Sequence, residues 1–111
     1  MKYFCLNDAR KGTCYQEYQQ GRFEGNHWLT GSLFMHDDIA CEIGIYDIFF
    51  DVIETYDPYS ACPYAITKPM WDMIVDKAVA KGGKVKMAIS ELTPWAEENF
   101  KIHEEFTVIA I

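Results

Sequence analysis

The first third of the chain alternates between short apolar runs and polar stretches. The apolar run at residues 2–6 suits a first strand, and residues 27–35 have the composition of a second, although Gly31 weakens a regular strand. The region between them, residues 7–25, is polar and predicts loop and irregular structure. Two strands are therefore expected before the first helix.

The stretch from His36 to Pro58 contains two competing periodicities. Its first half fits both the alternation of a strand and the spacing of a helix. In its second half, the large apolar side chains share one arc of a helical wheel, and polar residues share the other. An aspartate at 37 or 38 can cap the helix and Pro58 ends it, so the pattern predicts a helix over about 38–56. The apolar arc, predicted to face the core, comprises Ile45, Tyr46, Ile48, Phe49, Phe50, Val52, Ile53 and Tyr56.

Glu42 conflicts with that helix. On the wheel it falls near Phe49 and Ile53, on the apolar side. A carboxylate buried without a partner is costly, because it loses its hydration. Either the helix begins later than residue 38, or Glu42 points inward and needs a partner.

The second half of the chain has clearer element boundaries. Residues 57–67 predict a loop, and Thr67 caps a second helix that Gly82-Gly83 ends. Residues 84–90 alternate between charged and apolar positions, which predicts a half-buried strand.

Two further elements complete the prediction. Thr93-Pro94 begins a short third helix near 94–102, and residues 105–111 are apolar enough for a central strand. The predicted order is β-β-α-α-β-α-β, an α+β fold with about three helices on a mostly antiparallel sheet.

Length and charge limit the possible classes of protein. At 111 residues and 50% hydrophobic content, residues 1–111 predict a single domain with one core. The net charge of −7 disfavours direct nucleic-acid binding and docking on an anionic membrane, since both need a basic surface. No apolar run suits a signal peptide or a membrane span, so the expected location is the cytoplasm.

Motifs that would indicate catalysis are missing from the sequence. The four cysteines form no C-x-x-C pair, and no nucleophile-elbow or phosphate-binding loop is present. His36-Asp37-Asp38 could ligate a metal, but the three histidines lack a recognisable ligand spacing, so a helix cap is favoured there. We therefore predict neither a cofactor, nor a metal site, nor enzymatic activity.

The acidic residues point to a protein partner. No Lys or Arg occurs between Arg22 and Lys68, while eight acids do. Asp47, Asp51 and Glu54 are spaced i, i+4, i+7 in the predicted helix. Like charges along one helix edge repel one another unless a cationic partner neutralises them. Tyrosines in an adjacent loop are typical of interfaces, although they also pack loops onto cores. The predicted partner-binding residues are Asp47, Asp51, Glu54, Asp57, Tyr59 and Tyr64.

Three stretches of the second half carry a family resemblance. They are Thr67-x-Pro-x-Trp71, ELTPWAEENF at 91–100, and FTVIAI at 106–111. In these the chain resembles the small cytoplasmic immunity proteins of bacterial polymorphic toxin systems, including contact-dependent inhibition. Those are short, acidic, single-domain α+β proteins that bind and block a toxin domain, often a nuclease. The resemblance implies a basic toxin domain as the partner and assigns no residue by position.

Three hypotheses follow. The first is an acidic protein-binding module that neutralises a basic, nuclease-type toxin domain by direct binding. The second is a small enzyme or ligand-binding domain with a pocket near His36, Asp37 and Glu42. The third is a structural or oligomer-forming protein, and its oligomeric state is not specified by the sequence.

Overall fold

A four-stranded antiparallel sheet forms the centre of the fold. The computed structural model describes all residues, 1–111. Strands β1 (Tyr15–Gln20), β2 (Leu33–His36), β3 (Tyr64–Thr67) and β4 (Glu105–Ala110) lie in the order β2-β1-β4-β3. Every pairing is antiparallel. The last strand therefore lies inside the sheet, as its apolar sequence predicted.

Four helices cover one face of this sheet, which confirms the predicted α+β fold class. They are α1 (Asp37–Ile43), α2 (Ile45–Val52), α3 (Lys68–Lys81) and α4 (Gly83–Phe100). Alternate residues of the paired strands, such as Tyr18 and Val108, face the helices and enter the main core. No helix has both the length and the apolar composition needed to cross a membrane.

The opposite face of the sheet is covered by loops. Glu17 and Phe34 are directly paired there, and both are completely buried. The Trp28 ring stacks on Phe34 at 5.8 Å between centroids, and the guanidinium of Arg10 lies 3.5 Å from the centre of that indole. The polar segments before and after β1 thus pack against this face of the sheet.

The predicted first strand is wrong, and the first real strand lies in the segment predicted as loop. Residues 2–6 form only an isolated bridge, in which Cys5 and Phe34 exchange two backbone hydrogen bonds of 2.9 Å. Instead, the carboxylate of Glu91 on α4 holds this segment by accepting the backbone N–H groups of Tyr3 and Phe4. β1 has the sequence YQEYQQ, whose polarity predicted a loop. The segment can nevertheless be a buried strand, because distant parts of the chain supply hydrogen-bond partners for its polar side chains.

The predicted strand at 84–90 is also wrong, because α4 runs continuously from Gly83 to Phe100. Val85, Ala88, Ile89 and Leu92 are buried at helical spacing, whereas Met87, which the strand alternation placed with Val85, is exposed. Pro94, predicted to open a third helix, lies inside α4. The second predicted helix is confirmed as α3, with the Thr67 hydroxyl accepting a hydrogen bond from the Met70 N–H. The predicted loop over 57–67 ends early, because its last four residues form β3.

Gly44 divides the predicted helix 38–56 into two. Its φ of 81° lies in the left-handed region, where α1 ends and α2 begins, and α2 stops at Val52. This break resolves the conflict at Glu42. The side chain of Glu42 is exposed and forms a 2.9 Å ion pair with Lys84 of α4, so no carboxylate enters the core.

This ion pair provides a test of the fold at the α1–α4 contact. The hydrogen bond from the Lys84 ammonium, followed by its charge, lowers the pKa of Glu42. We expect Lys84→Met to raise the pKa of Glu42 toward that of a free glutamate, as measured by NMR titration of its carboxyl carbon. Lys86→Met is the matched control, since Lys86 is an exposed lysine of the same helix without an ion pair. An unchanged pKa in Lys84→Met would contradict the pairing.

The sign of the effect on stability follows from the same shift. A lowered pKa in the folded state means that the pair stabilises the protein above the unfolded-state pKa of Glu42. That contribution is lost as the pH falls through the folded-state pKa. The free energies of unfolding of the wild-type protein and Lys84→Met should therefore differ at neutral pH and become equal in acid. The difference at neutral pH should be small, because both side chains are exposed.

Candidate protein-interaction site

A surface around Tyr59 combines exposed aromatic side chains with carboxylates. We define the Tyr59 surface as Cys41, Asp47, Phe50, Pro58 and Tyr59, which line one shallow groove between α1, α2 and the loop that follows α2. Tyr59 is 69% exposed and Phe50 is 51% exposed. The left-handed turn at Gly44 allows both short helices to border the same groove. Large apolar groups beside charges are thus presented to solvent together.

Tyr59 is held in place although it is exposed. Its backbone N–H donates a 2.9 Å hydrogen bond to Asp57 Oδ1, and its ring meets the Tyr46 ring edge-on at 6.2 Å. Its hydroxyl lies 3.8 Å from Cys41 Sγ. The hydrogen bond with Cys41, partial burial and the nearby Asp37 carboxylate raise the pKa of Tyr59 to about 12. The hydroxyl therefore stays protonated at neutral pH and can act as a donor.

A layer of tyrosines supports this surface from below. Tyr46 and Tyr56 are buried and in mutual contact, and Phe50 packs on Tyr56 at 5.6 Å. Burial, together with neighbouring hydroxyl and carboxylate groups, raises the pKa of both tyrosines. Both rings stay neutral, and the Tyr46 hydroxyl donates a 2.8 Å hydrogen bond to Asp37 Oδ1. These buried tyrosines limit how far the exposed side chains of Phe50 and Tyr59 can move.

Tyr64 has a different position from Tyr59. It lies on β3, is half-buried, and packs on the Tyr56 ring at 4.9 Å. Its hydroxyl accepts the Asp57 N–H at 2.9 Å and donates to the Thr55 carbonyl at 3.4 Å. Tyr64 therefore braces the loop between α2 and β3, and its contact with a partner stays a prediction.

The predicted acidic edge is shorter than expected. Asp47 and Asp51 are exposed one turn apart on α2, but Glu54 lies beyond the helix end at Val52. The i, i+4, i+7 alignment is therefore wrong for its last member, although Glu54 and Asp57 are both exposed. Asp47 Oδ2 lies 3.6 Å from Lys81 Nζ, so one lysine borders the acidic edge at the end of α3.

The alternative pocket near His36, Asp37 and Glu42 is not formed by these three residues together. His36 Nδ1 accepts the Asp38 N–H at 3.0 Å, which makes it the cap of α1. Asp37 lines a cavity beside Tyr59, whereas Glu42 lines a separate groove with Lys84. No group of three or more His, Cys, Asp or Glu side chains is arranged to hold a metal ion.

Three residues of the Tyr59 surface, Cys41, Phe50 and Pro58, were not among the predicted partner-binding residues. Phe50 was assigned to the core arc of the predicted helix, but its side chain is half exposed on α2. Cys41 was given no role in the sequence analysis, although its sulfur contacts both Tyr59 and Asp37. Gly44 was the available signal, since a glycine inside a helical pattern marks a possible end.

Comparisons with known proteins identified no relative of this chain. A scan against protein-family models, a search of curated proteins and a search of solved structures each found no significant match.

Proposed function

We propose that this protein is a protein-binding module that neutralises a basic, nuclease-type toxin domain by direct binding through the Tyr59 surface. The observation that carries the proposal is the joint exposure of Tyr59 and Phe50 in one groove with Asp47. Exposed aromatics of this size are characteristic of interface centres, where they bury a large area at low entropic cost. The resemblance to immunity proteins supplies the toxin domain as the class of partner.

The distribution of charge supports a cationic partner. Asp51, Glu54 and Asp57 are exposed on α2 and on the loop that follows it, and Lys81 contacts Asp47 in the groove. Complementary potentials speed the encounter of oppositely charged proteins and determine their register. The acids would therefore guide the partner in, and the two aromatic rings would supply most of the contact energy.

The second candidate function is a small enzyme or ligand-binding domain. One observation favours it, the cavity lined by Asp37 beside Tyr59. That cavity opens directly next to the groove of the Tyr59 surface and shares two of its residues. Because Pro58 and Tyr59 border both depressions, a protein that covers Tyr59 also covers the cavity, and protein binding accounts for both.

Reversal of the acidic residues tests the proposal. We expect the triple variant Asp47→Lys, Asp51→Lys and Glu54→Lys to slow association with the basic toxin domain by about tenfold at low salt. The three side chains are exposed, so the fold should survive. The measurement is the association rate by surface plasmon resonance, with an inactivated toxin domain encoded beside this chain's gene as the partner.

The matched control reverses three exposed acids elsewhere. Asp76→Lys, Glu97→Lys and Glu104→Lys together produce the same net charge on other parts of the surface. If both triple variants slowed association equally, the effect would come from the overall charge of the protein, and a local acidic patch would be contradicted. An unchanged rate in the first triple variant, or no binding by the wild-type protein, would reject the proposed function.

A further inference from the structure

A cavity of about 260 Å³ opens on the other side of Tyr59 from the groove that contains Phe50. It lies between the start of β1, the start of α1, the end of β4 and the loop at residues 58–61. Its lining is mostly apolar or aromatic and includes the residues Cys14, Tyr15, Gln16, Asp37, Tyr59 and Ala61. Pro58 and Tyr59 form the wall between the two depressions.

The walls of this cavity are held by hydrogen bonds within the chain. Gln16 is only 4% exposed, and its side-chain amide donates a 2.6 Å hydrogen bond to the Pro58 carbonyl, which ties the loop to the sheet. The Asp37 N–H donates a 2.8 Å bond to the Cys14 carbonyl, which ties α1 to the chain just before β1. The cavity is therefore preformed, and an occupant would have little ordering to impose.

Asp37 gives the cavity a negative charge. It is the single acidic side chain in the lining, and no Lys or Arg lines the cavity with it. The Tyr46 hydroxyl and the Cys41 thiol both approach Oδ1, at 2.8 and 3.9 Å. The Tyr59 hydroxyl is close to the same carboxylate, and neither the Tyr46 nor the Cys41 hydrogen bond uses the second oxygen, Oδ2. A half-buried carboxylate among aromatic and apolar groups favours a cation over a neutral ligand.

We propose that this cavity receives an arginine side chain of the partner protein. A guanidinium can donate to Asp37 while its planar face packs on the exposed ring of Tyr59. Arginine fits these walls better than lysine, because a guanidinium is more weakly hydrated and stacks on aromatic rings. The inference rests on the proposed function for the origin of this side chain. It adds the chemistry of one contact and the residue, Asp37, that recognises it.

The cavity can be tested without any partner protein. The probe is Nα-acetyl-arginine methylamide, titrated into the ¹⁵N-labelled protein and followed by amide chemical shifts. We expect saturable shifts confined to residues 14–16, 37, 59–61 and 110–111, with a dissociation constant in the millimolar range. The corresponding citrulline derivative has nearly the same shape without the charge, and it should bind at least tenfold more weakly.

Two variants make the site assignment specific. Asp37→Asn removes the charge but keeps an oxygen that can accept from Tyr46, and it should weaken binding of the arginine probe by about tenfold. Ala61→Trp fills the cavity from an exposed loop position and should abolish binding, with Ala80→Trp on the exposed face of α3 as the matched control.

The possible results separate this inference from the proposed function. Shifts that do not saturate, equal binding of the citrulline derivative, or undiminished binding by both cavity variants would overturn the arginine pocket. None of these results involves a toxin domain, so the protein-binding proposal would still depend on the charge-reversal experiment. Conversely, failure of that experiment would leave saturable binding of the arginine probe in place.

Discussion

Replacement of Glu17 by alanine is expected to lower the free energy of unfolding by about 3 kcal/mol. Glu17 is completely buried on the loop-covered face of the sheet. Its carboxylate accepts the N–H groups of Trp28 and Leu29 at 2.8 and 2.9 Å, and the Ser32 hydroxyl at 2.6 Å. Removal of the carboxylate leaves three donors without their acceptor, and at Ser32 the donor is buried. The free energy of unfolding of natural domains is about 5–15 kcal/mol, so this would be a large loss of stability.

Urea denaturation measures the global effect of Glu17→Ala, and amide hydrogen exchange locates it. The amides of Trp28 and Leu29 should lose protection first, because they lose their acceptor directly. Glu17→Gln keeps one acceptor oxygen and should fall between the wild-type protein and the alanine variant. Glu24→Ala removes an exposed glutamate and serves as the control. A loss below about 1 kcal/mol for Glu17→Ala would contradict the structural role given to this carboxylate.

Tyr59→Ala is expected to weaken binding of the proposed toxin-domain partner by about 2 kcal/mol, or roughly 30-fold in dissociation constant. The side chain is 69% exposed in the free protein, so its removal costs little folding stability. It stands between the groove that contains Phe50 and the cavity that contains Asp37, so both lose a wall when it is truncated. Aromatic residues placed centrally in an interface are the usual energetic hot spots.

Isothermal titration calorimetry with the inactivated toxin domain measures this effect. Tyr59→Phe keeps the ring and should retain most of the affinity, since ring area contributes more than an exposed hydroxyl. Met73→Ala removes another exposed apolar side chain, 47% accessible on α3, and should leave binding unchanged. Equal affinities of Tyr59→Ala and the wild-type protein would exclude the Tyr59 surface as the interface, even if another part of the protein binds the toxin domain.

The outcome at β1 and α4 shows where local pattern was insufficient. The sequence YQEYQQ lacks the apolar alternation of a strand, yet it lies between β2 and β4 with five of its six residues buried. Its polar side chains are satisfied by groups distant in sequence, such as the Pro58 carbonyl for Gln16 and residues 28–32 for Glu17. In α4, the alternation over 84–90 imitated a strand because a period-2 pattern and a helical face share several positions over one short window.

The candidate site was predicted in part. Its acidic character and the presence of Tyr59 follow from composition and from the position of tyrosine in a proline-containing loop. The position of Glu54 outside α2 did not follow, because it depends on where the helix ends, and the exposure of Phe50 did not follow, because it depends on how the loop after α2 packs. The cavity at Asp37 could not be predicted, because its walls come from segments far apart in the chain.

By itself, the sequence determined the fold class, the helix that Thr67 caps, the apolar final strand and the concentration of acids between Arg22 and Lys68. These features depend on caps, periodicity and composition, which act over a few neighbouring residues. The tertiary structure alone decided that a polar segment becomes a central strand, that Glu42 pairs with Lys84, and that Tyr59 separates two depressions. Those outcomes depend on which distant groups meet, because a buried polar side chain is stable only where a partner elsewhere in the chain satisfies it.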